Sequence, residues 1–250
     1  MLLSAGCSIP PQAAFRHEAE PVETSADFAG CRQFEADLRN AELTIEGWDQ
    51  PEVKVTARVW AKAYLLSSAK LLAETTEVKL DRAGDRVALV CRPTRPMLGN
   101  EQVGASLLVY LPTDASMDVA TRHGSVAAKA IRGEVCAESR FGNITLNQPE
   151  GAIRCETRHG RITVDHAKGP VDCKSMFGSI KLSEPAGPVT CQTRHGNVHV
   201  SGAQSGQVTC STTFGNIKAS IAPGCWHGEA VSLKTRHGRV ELKMETAAEP

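Results

Sequence analysis

Residues 157–164 read Thr157-Arg158-His159-Gly160-Arg161-Ile162-Thr163-Val164, and the chain says nearly the same thing seven times. The tripeptide Arg-His-Gly, or a variant ending in Phe-Gly, closes at Gly124, Gly142, Gly160, Gly178, Gly196, Gly215 and Gly238, in steps of 18, 18, 18, 18, 19 and 23 residues. Ser or Thr stands before each tripeptide, from Thr121 through Ser139 and Thr157 to Thr235. Two residues after each glycine comes Val or Ile, and two further on another apolar residue, as in Ile144 and Leu146 or Ile180 and Leu182. A second glycine row, Gly133, Gly151, Gly169, Gly187 and Gly206, lies halfway between, so the sub-repeat is about nine residues.

Physically, Gly-x-Ile-x-Val is a short strand whose alternate residues face one side. Two apolar residues per strand cannot close a core alone, but stacked on identical neighbours they form a continuous one. The glycines fall where the backbone turns a corner, and φ > 0 is expected there, which Gly reaches without steric cost. The expected fold is all-β: a parallel β-solenoid, or β-helix, of about seven 18-residue repeats with two facing sheets. His and Phe alternate at the corner (His123, Phe141, His159, Phe177, His195, Phe214, His237). An 18-residue coil would stack them as one mixed ladder, whereas a 36-residue coil would stack like on like. The alternation alone leaves both open.

Composition bounds the rest. The 250 residues are 41% hydrophobic and carry 28 basic and 28 acidic side chains. That neutral balance gives no global pull toward nucleic acid or anionic membrane, so no nucleic-acid partner is expected. Aromatics make up 4%, so the core must come from Val, Ile, Leu, Ala and Cys, which suits a thin solenoid.

Small residues precede Cys7, and Ser8, Pro10 and Pro11 follow, which resembles the end of a bacterial lipoprotein signal. This makes Cys7 a candidate lipidation site and predicts a basic and apolar segment upstream of Met1. The predicted address is the cell envelope, in the periplasm or at the cell surface, with membrane contact only through that lipid. If Met1 is the true start, the address is cytoplasmic.

Residues 1–30 read as signal remnant and linker, 31–113 as a β-hairpin-rich capping half with one short helix, 114–243 as the solenoid and 244–250 as a tail. Within the capping half, Leu43 and Ile45 alternate with polar residues, Gly47-Trp48-Asp49-Gln50-Pro51 reads as a turn, and Val53, Val55, Ala57 and Val59 alternate again, predicting a hairpin. Residues 61–76 predict the helix. Val87, Leu89 and Cys91 predict a strand, Arg92 to Asn100 a loop, and Leu107, Val109 and Leu111 the strand before the repeats.

A Gly-Trp-Asp turn, a short helix, a strand ending in Leu111-Pro112 and then repeated Gly-x-Ile-x-Val resemble the DUF4097 family of candidate adhesins, over roughly residues 34–243. That family usually has Asp after the repeat glycine, where this chain has Ser125, Asn143, Arg161, Ser179, Asn197, Asn216 and Arg239. The resemblance implies a β-helix-like fold, an envelope location and no enzymatic activity, cofactor or catalytic residue set.

Three residue rows invite chemistry. Cys155, Cys173, Cys191 and Cys210 share an inward position with Val119, Ala137 and Leu233, so they read as small hydrophobes. No Cys-x-x-Cys spacing suggests a metal site. Cys136 falls between the inward Val135 and Ala137 and is expected to be an exposed thiol. The histidines are locked to a repeated corner, and catalysis needs one constellation of different groups, so they read as a structural ladder. Arg122, Arg140, Arg158, Arg194 and Arg236 share one corner position, interrupted by Met176 and Thr213. Either each pairs with carboxylates such as Glu138 and Glu156 or caps corner carbonyls, or they form a basic stripe for an anionic polymer. Trp226, in the five-residue insertion before Gly238, is a candidate anchor for a sugar or partner, or a lid over the solenoid end.

The predicted function is a non-catalytic, adhesin-like scaffold or binding surface. Its predicted partners are envelope polysaccharide, an anionic polymer or another surface protein. The alternatives are a polysaccharide-processing β-helix enzyme and a stress-response or regulatory module at the membrane.

Overall fold

The computed structural model describes residues 14–204, 206–222 and 230–244. Beyond Pro112 the chain alternates between two sheets. Sheet B receives β8 (Ser116–His123), β10 (Val135–Phe141), β12 (Ile153–His159), β14 (Val171–Phe177), β16 (Val189–His195), β18 (Val208–Phe214) and β20 (Val231–His237). Sheet A receives β9 (Val126–Lys129), β11 (Ile144–Asn147), β13 (Ile162–Asp165), β15 (Ile180–Ser183), β17 (Val198–Ala203), β19 (Ile217–Ile221) and β21 (Val240–Met244). Every strand pairs in parallel with the strand one repeat away, Cys155 with Cys173 and Ile162 with Ile180, for example. The coil is therefore 18 residues long, with about the expected seven rungs. Between the sheets, apolar residues such as Val135, Ile144, Cys173 and Val200 are fully buried and merge into one core.

The corners explain the consensus. Thr157 and Thr193 are buried, and their hydroxyls donate to the carbonyls of Gly142 and Gly178 on the preceding rung at 3.2 and 3.1 Å. Ser139, Thr212 and Thr235 do the same toward Gly124, Gly196 and Gly215. The expected φ > 0 holds at Gly124, Gly215 and Gly238, with φ of 137, 154 and 159°, but contact selects glycine at the other four corners. Gly142, Gly160, Gly178 and Gly196 do not adopt the left-handed region, but a Cβ on any of them would overlap the carbonyl of the glycine one rung below. The left-handed turn falls instead at Ala130, Gln148, His166 and Glu184, with φ of 57, 54, 56 and 48°. At the residue after the corner glycine, Asn143, Asn197 and Asn216 each accept the next rung's backbone N–H through Oδ1 at 2.8 Å. An aspartate would offer the same acceptor, so the substitution keeps the ladder.

The first half extends the solenoid. Strand β3 (Gln33–Trp48) crosses both sheets, its first part pairing with β8 and its second with β9. It is a degenerate rung: Leu38-Arg39-Asn40-Ala41 stands where the next rung has Thr121-Arg122-His123-Gly124, and Leu43 and Ile45 take the Val126 and Ala128 positions. In sheet A the expected hairpin between Leu43–Ile45 and Val53–Val59 is not formed. Strand β7 (Gln102–Pro112) inserts between β3 and β4 (Glu52–Ala63), parallel to the first and antiparallel to the second. A genuine hairpin joins β5 (Thr76–Ala83) to β6 (Arg86–Pro93), and β6 borders β3 in sheet B.

The helix is shorter than residues 61–76. Ala61 and Ala63 continue the period-two pattern of β4, and α1 (Leu66–Glu74) buries Ala69, Leu72 and Ala73. The stretch read as linker also differs: β1 (Phe15–Glu18) and β2 (Val22–Asp27) pair antiparallel with β4. Pro, Ala and Glu content suggested a tether, but backbone pairing with an open sheet edge needs little side-chain specificity.

Candidate functional site

Period two sends every second residue of sheet B outward, and the in-register stack turns each such position into a row along the solenoid axis. One row holds Arg122, Arg140, Arg158, Met176, Arg194, Thr213 and Arg236, as read from sequence, and β3 adds Arg39 before them. The neighbouring row holds Asp37, Ala120, Glu138, Glu156, Lys174 and Gln192. On the other side of the arginines runs the mixed ring ladder of the 18-residue coil. His123, Phe141, His159, Phe177, His195, Phe214 and His237 stack with centroids 4.8–5.1 Å apart and planes within 4–7°.

The arginine row lies exposed, and among the described residues no ion pair or hydrogen bond engages Arg39, Arg122, Arg140, Arg158, Arg194 or Arg236. The expectation that these arginines pair with Glu138 and Glu156, or cap corner carbonyls, is not met. The corner carbonyls of Gly124, Gly142, Gly178, Gly196 and Gly215 are already taken by the Ser/Thr row, Ser175 alone making no such bond, and the carboxylates point outward alongside rather than across. Glu138 and Glu156 lie directly opposite each other on adjacent rungs, likewise without a cation partner. Like charges directly opposite on neighbouring strands are destabilising.

These rows line a groove of about 1270 Å³ that runs from Arg39 to Thr213. Cys91, Arg92, Pro93 and Met97 border its N-terminal end. The loop carrying Met97 is fixed by Arg95, whose two terminal nitrogens each donate to Glu101 at 2.9 Å, while Leu98 N–H donates to the same carboxylate at 2.8 Å. These bonds hold the Glu101 carboxyl below the usual carboxylate range, the Arg95 hydrogen bond contributing most.

Cys136 faces outward as expected but is only half-exposed, packed beside Asp118 and Glu138. Burial first, and then these two carboxylates, push its thiol up to about 11. Cys155, Cys173, Cys191 and Cys210 are buried and unbridged, in one column. Cys7 and Trp226 lie outside the described residues.

What sequence reasoning missed was Arg39 and the Asp37 beside it. The signal was available in the alternation Leu38, Arg39, Asn40, Ala41, Leu43, Ile45, obscured because the glycine and the Ser/Thr are both replaced.

No protein-family model and no curated protein matches the chain. Among solved structures, a candidate adhesin from Bacteroides fragilis is similar over 90% of this chain and 97% of that one, at 10% identity and a TM-score of 0.55. The fold is shared with that protein. A candidate adhesin from Parabacteroides distasonis (13% identity, 90% and 97% covered, TM-score 0.41) and a candidate lipid binding protein from the same species (10% identity, 89% and 97% covered, TM-score 0.37) superpose more loosely.

Proposed function

We propose that this chain is a non-catalytic, adhesin-like scaffold of the cell envelope, and that the groove on sheet B is its binding surface. The observation that carries the reading is the row of exposed arginines without partners lining a groove along the solenoid. Repetition supports binding over catalysis: each rung offers the same groups again, with histidines stacked on phenylalanines in one row and carboxylates kept in another, whereas a hydrolase or lyase needs unlike groups converging on one point. The resemblance to the DUF4097 family and the fold shared with a candidate adhesin support the envelope address, as does the lipoprotein-like run ending at Cys7.

The test is incubation of the purified protein with isolated cell-envelope material and with purified envelope polysaccharides. Sedimentation with the envelope fraction, without any shortening of the polysaccharide, is the expected result. Shortened chains or new reducing ends would overturn it in favour of the enzyme reading.

A further inference from the structure

We infer that the groove on sheet B binds a linear acidic polysaccharide lying along the solenoid axis, its carboxylate groups on the row Arg39, Arg122, Arg140, Arg158 and Arg194 and its hydroxyls on the row Asp37, Glu138, Glu156 and Gln192. This rests on the binding-surface reading above and names the ligand class and its placement.

Periodicity comes first. Neighbouring rungs are about 4.8 Å apart, so the arginines form a one-dimensional lattice of positive charge, with the first four on consecutive rungs. From Arg39 to Arg194 is five rung steps, roughly 24 Å. A translationally periodic site fits a translationally periodic ligand, an extended polymer, better than the irregular surface of a folded protein. Each planar guanidinium can take a carboxylate bidentately, and none is committed to a partner among the described residues.

The second row decides the kind of polymer. Beside Arg39, Arg140 and Arg158 stand Asp37, Glu138 and Glu156, so along these rungs guanidinium and carboxylate are equal in number. A nucleic-acid strand, with a phosphate about every 3.4 Å, would meet a carboxylate on three of the five arginine rungs. A glycan carries fewer charges and many hydroxyls, and carboxylates accept hydrogen bonds from hydroxyls. The ring ladder argues the same way. Single-stranded nucleic acids are held by stacking bases on free aromatic faces. Here each ring face is covered by the next ring, at 4–7° between planes, and only the edges are presented. Ring edges are the positive side of the aromatic quadrupole, and the imidazoles add N–H donors, so this border also favours a ligand rich in oxygen.

Within each row like charges face one another on neighbouring rungs, and among the described residues no ion pair engages either the arginines or Glu138 and Glu156, so both rows are open to a ligand.

The experiment uses polygalacturonate as probe, its methyl-esterified form as the uncharged control with the same backbone, and oligo-dT as the nucleic-acid competitor. Binding is measured by interferometry on the full chain. The expected results are saturable binding to polygalacturonate, at least about tenfold weaker binding to the ester, and loss of affinity as salt rises through a few tenths molar. Affinity should climb with oligogalacturonate length until the chain spans roughly 24 Å. Arg140→Gln combined with Arg158→Gln should weaken binding about tenfold or more, with a melting temperature little changed because no ion pair is lost. Arg161→Gln, at a corner outside the groove, should leave binding within about twofold. Should the double variant fail to fold, Arg194→Gln alone gives the same readout about threefold.

Equal binding of acid and ester, full affinity for the monomer, tighter binding of oligo-dT, or unaltered binding by the arginine variants would each overturn the inference. Binding to envelope material without binding to any acidic polysaccharide would overturn it while leaving the scaffold reading in place. Loss of both would remove the two together.

Discussion

Thr157 donates its hydroxyl to the carbonyl oxygen of Gly142, one rung earlier, at 3.2 Å. The bond crosses between two repeats and is made by a buried side chain, so it fixes the axial register at the corner where no backbone donor reaches that oxygen. Ser/Thr three residues before Gly makes this bond in six of the seven repeats, Ser175 being the exception, so the consensus is largely this bond written in sequence. Thr157→Val keeps the shape and the strand propensity while removing the donor. It should cost about 1–2 kcal/mol, the usual loss when a buried carbonyl is left unmatched. Thr157→Ser should recover most of it, as measured by denaturant unfolding. Equal losses for Val and Ser would point to methyl packing as the cause.

Gly160 makes the complementary point. Its backbone runs against the Gly142 carbonyl closely enough that a Cβ would overlap it, and the obstacle is main chain rather than a side chain that could turn away. Gly160→Ala should therefore destabilise by roughly 3 kcal/mol, at the high end for overpacking. The same exchange at Gly84, whose surroundings are open but whose φ is 65°, costs only backbone strain of about 1 kcal/mol. Comparison of the two unfolding midpoints separates contact from conformation. If Gly84→Ala proves the costlier change, the close approach at the corner is not what selects glycine.

The solenoid was legible because its rules are local and repeated. Glycine, hydroxyl and apolar rows recur at fixed offsets, so strand identity, inward face and the arginine row followed from spacing alone. The coil length did not, since alternation of His and Phe fits two stacking schemes equally until the pairing of His159 with Phe141 and Phe177 is seen. The first half was less legible because its contacts are not local. Leu43–Ile45 and Val53–Val59 look like a hairpin, yet β7, some fifty residues later, supplies the pairing both strands need. The partnerless state of Arg140 and Arg158 was equally hidden. Nearby glutamates in sequence suggested pairing, whereas the pleat places them side by side in separate rows.

The loop that borders the groove depends on one ion pair. Arg95 and Leu98 together hold the Glu101 carboxyl below its ordinary range. For a carboxyl depressed in the folded state, the stabilisation is fully present at neutral pH and is lost as pH falls through the lowered value. Protection of the Leu98 amide, its exchange rate relative to the free-peptide rate at the same pH, should therefore be high at neutral pH and fall on acidification below the ordinary carboxylate range, ahead of global unfolding. Glu101→Gln should show the lost protection already at pH 7. Exchange that is insensitive to both changes would mean that packing of Met97, rather than the pair, orders the loop.

The thiols test the strand register directly. Cys136 sits on the outer face of sheet B, while Cys155, Cys173 and Cys191 stack in the core with their thiols raised by hydrogen bonding to the next thiol in the column and then by burial. Alkylation requires the thiolate. With Cys136 pushed up to about 11, only about one molecule in a thousand carries that thiolate at pH 8. Labelling of the folded protein, followed by peptide mass spectrometry, should show slow modification of Cys136 and none of the three core cysteines. The rate at Cys136 should rise about tenfold per pH unit from pH 8 toward 10, because its thiol is still far from half-ionised. A rate that levels off near pH 9 would show that burial and the neighbouring Asp118 and Glu138 do not raise the thiol. In denaturant all four should react alike. Equal labelling of all four in the folded protein would place Cys136 and Cys155 on the same face, and the register of the sheet would have to be redrawn.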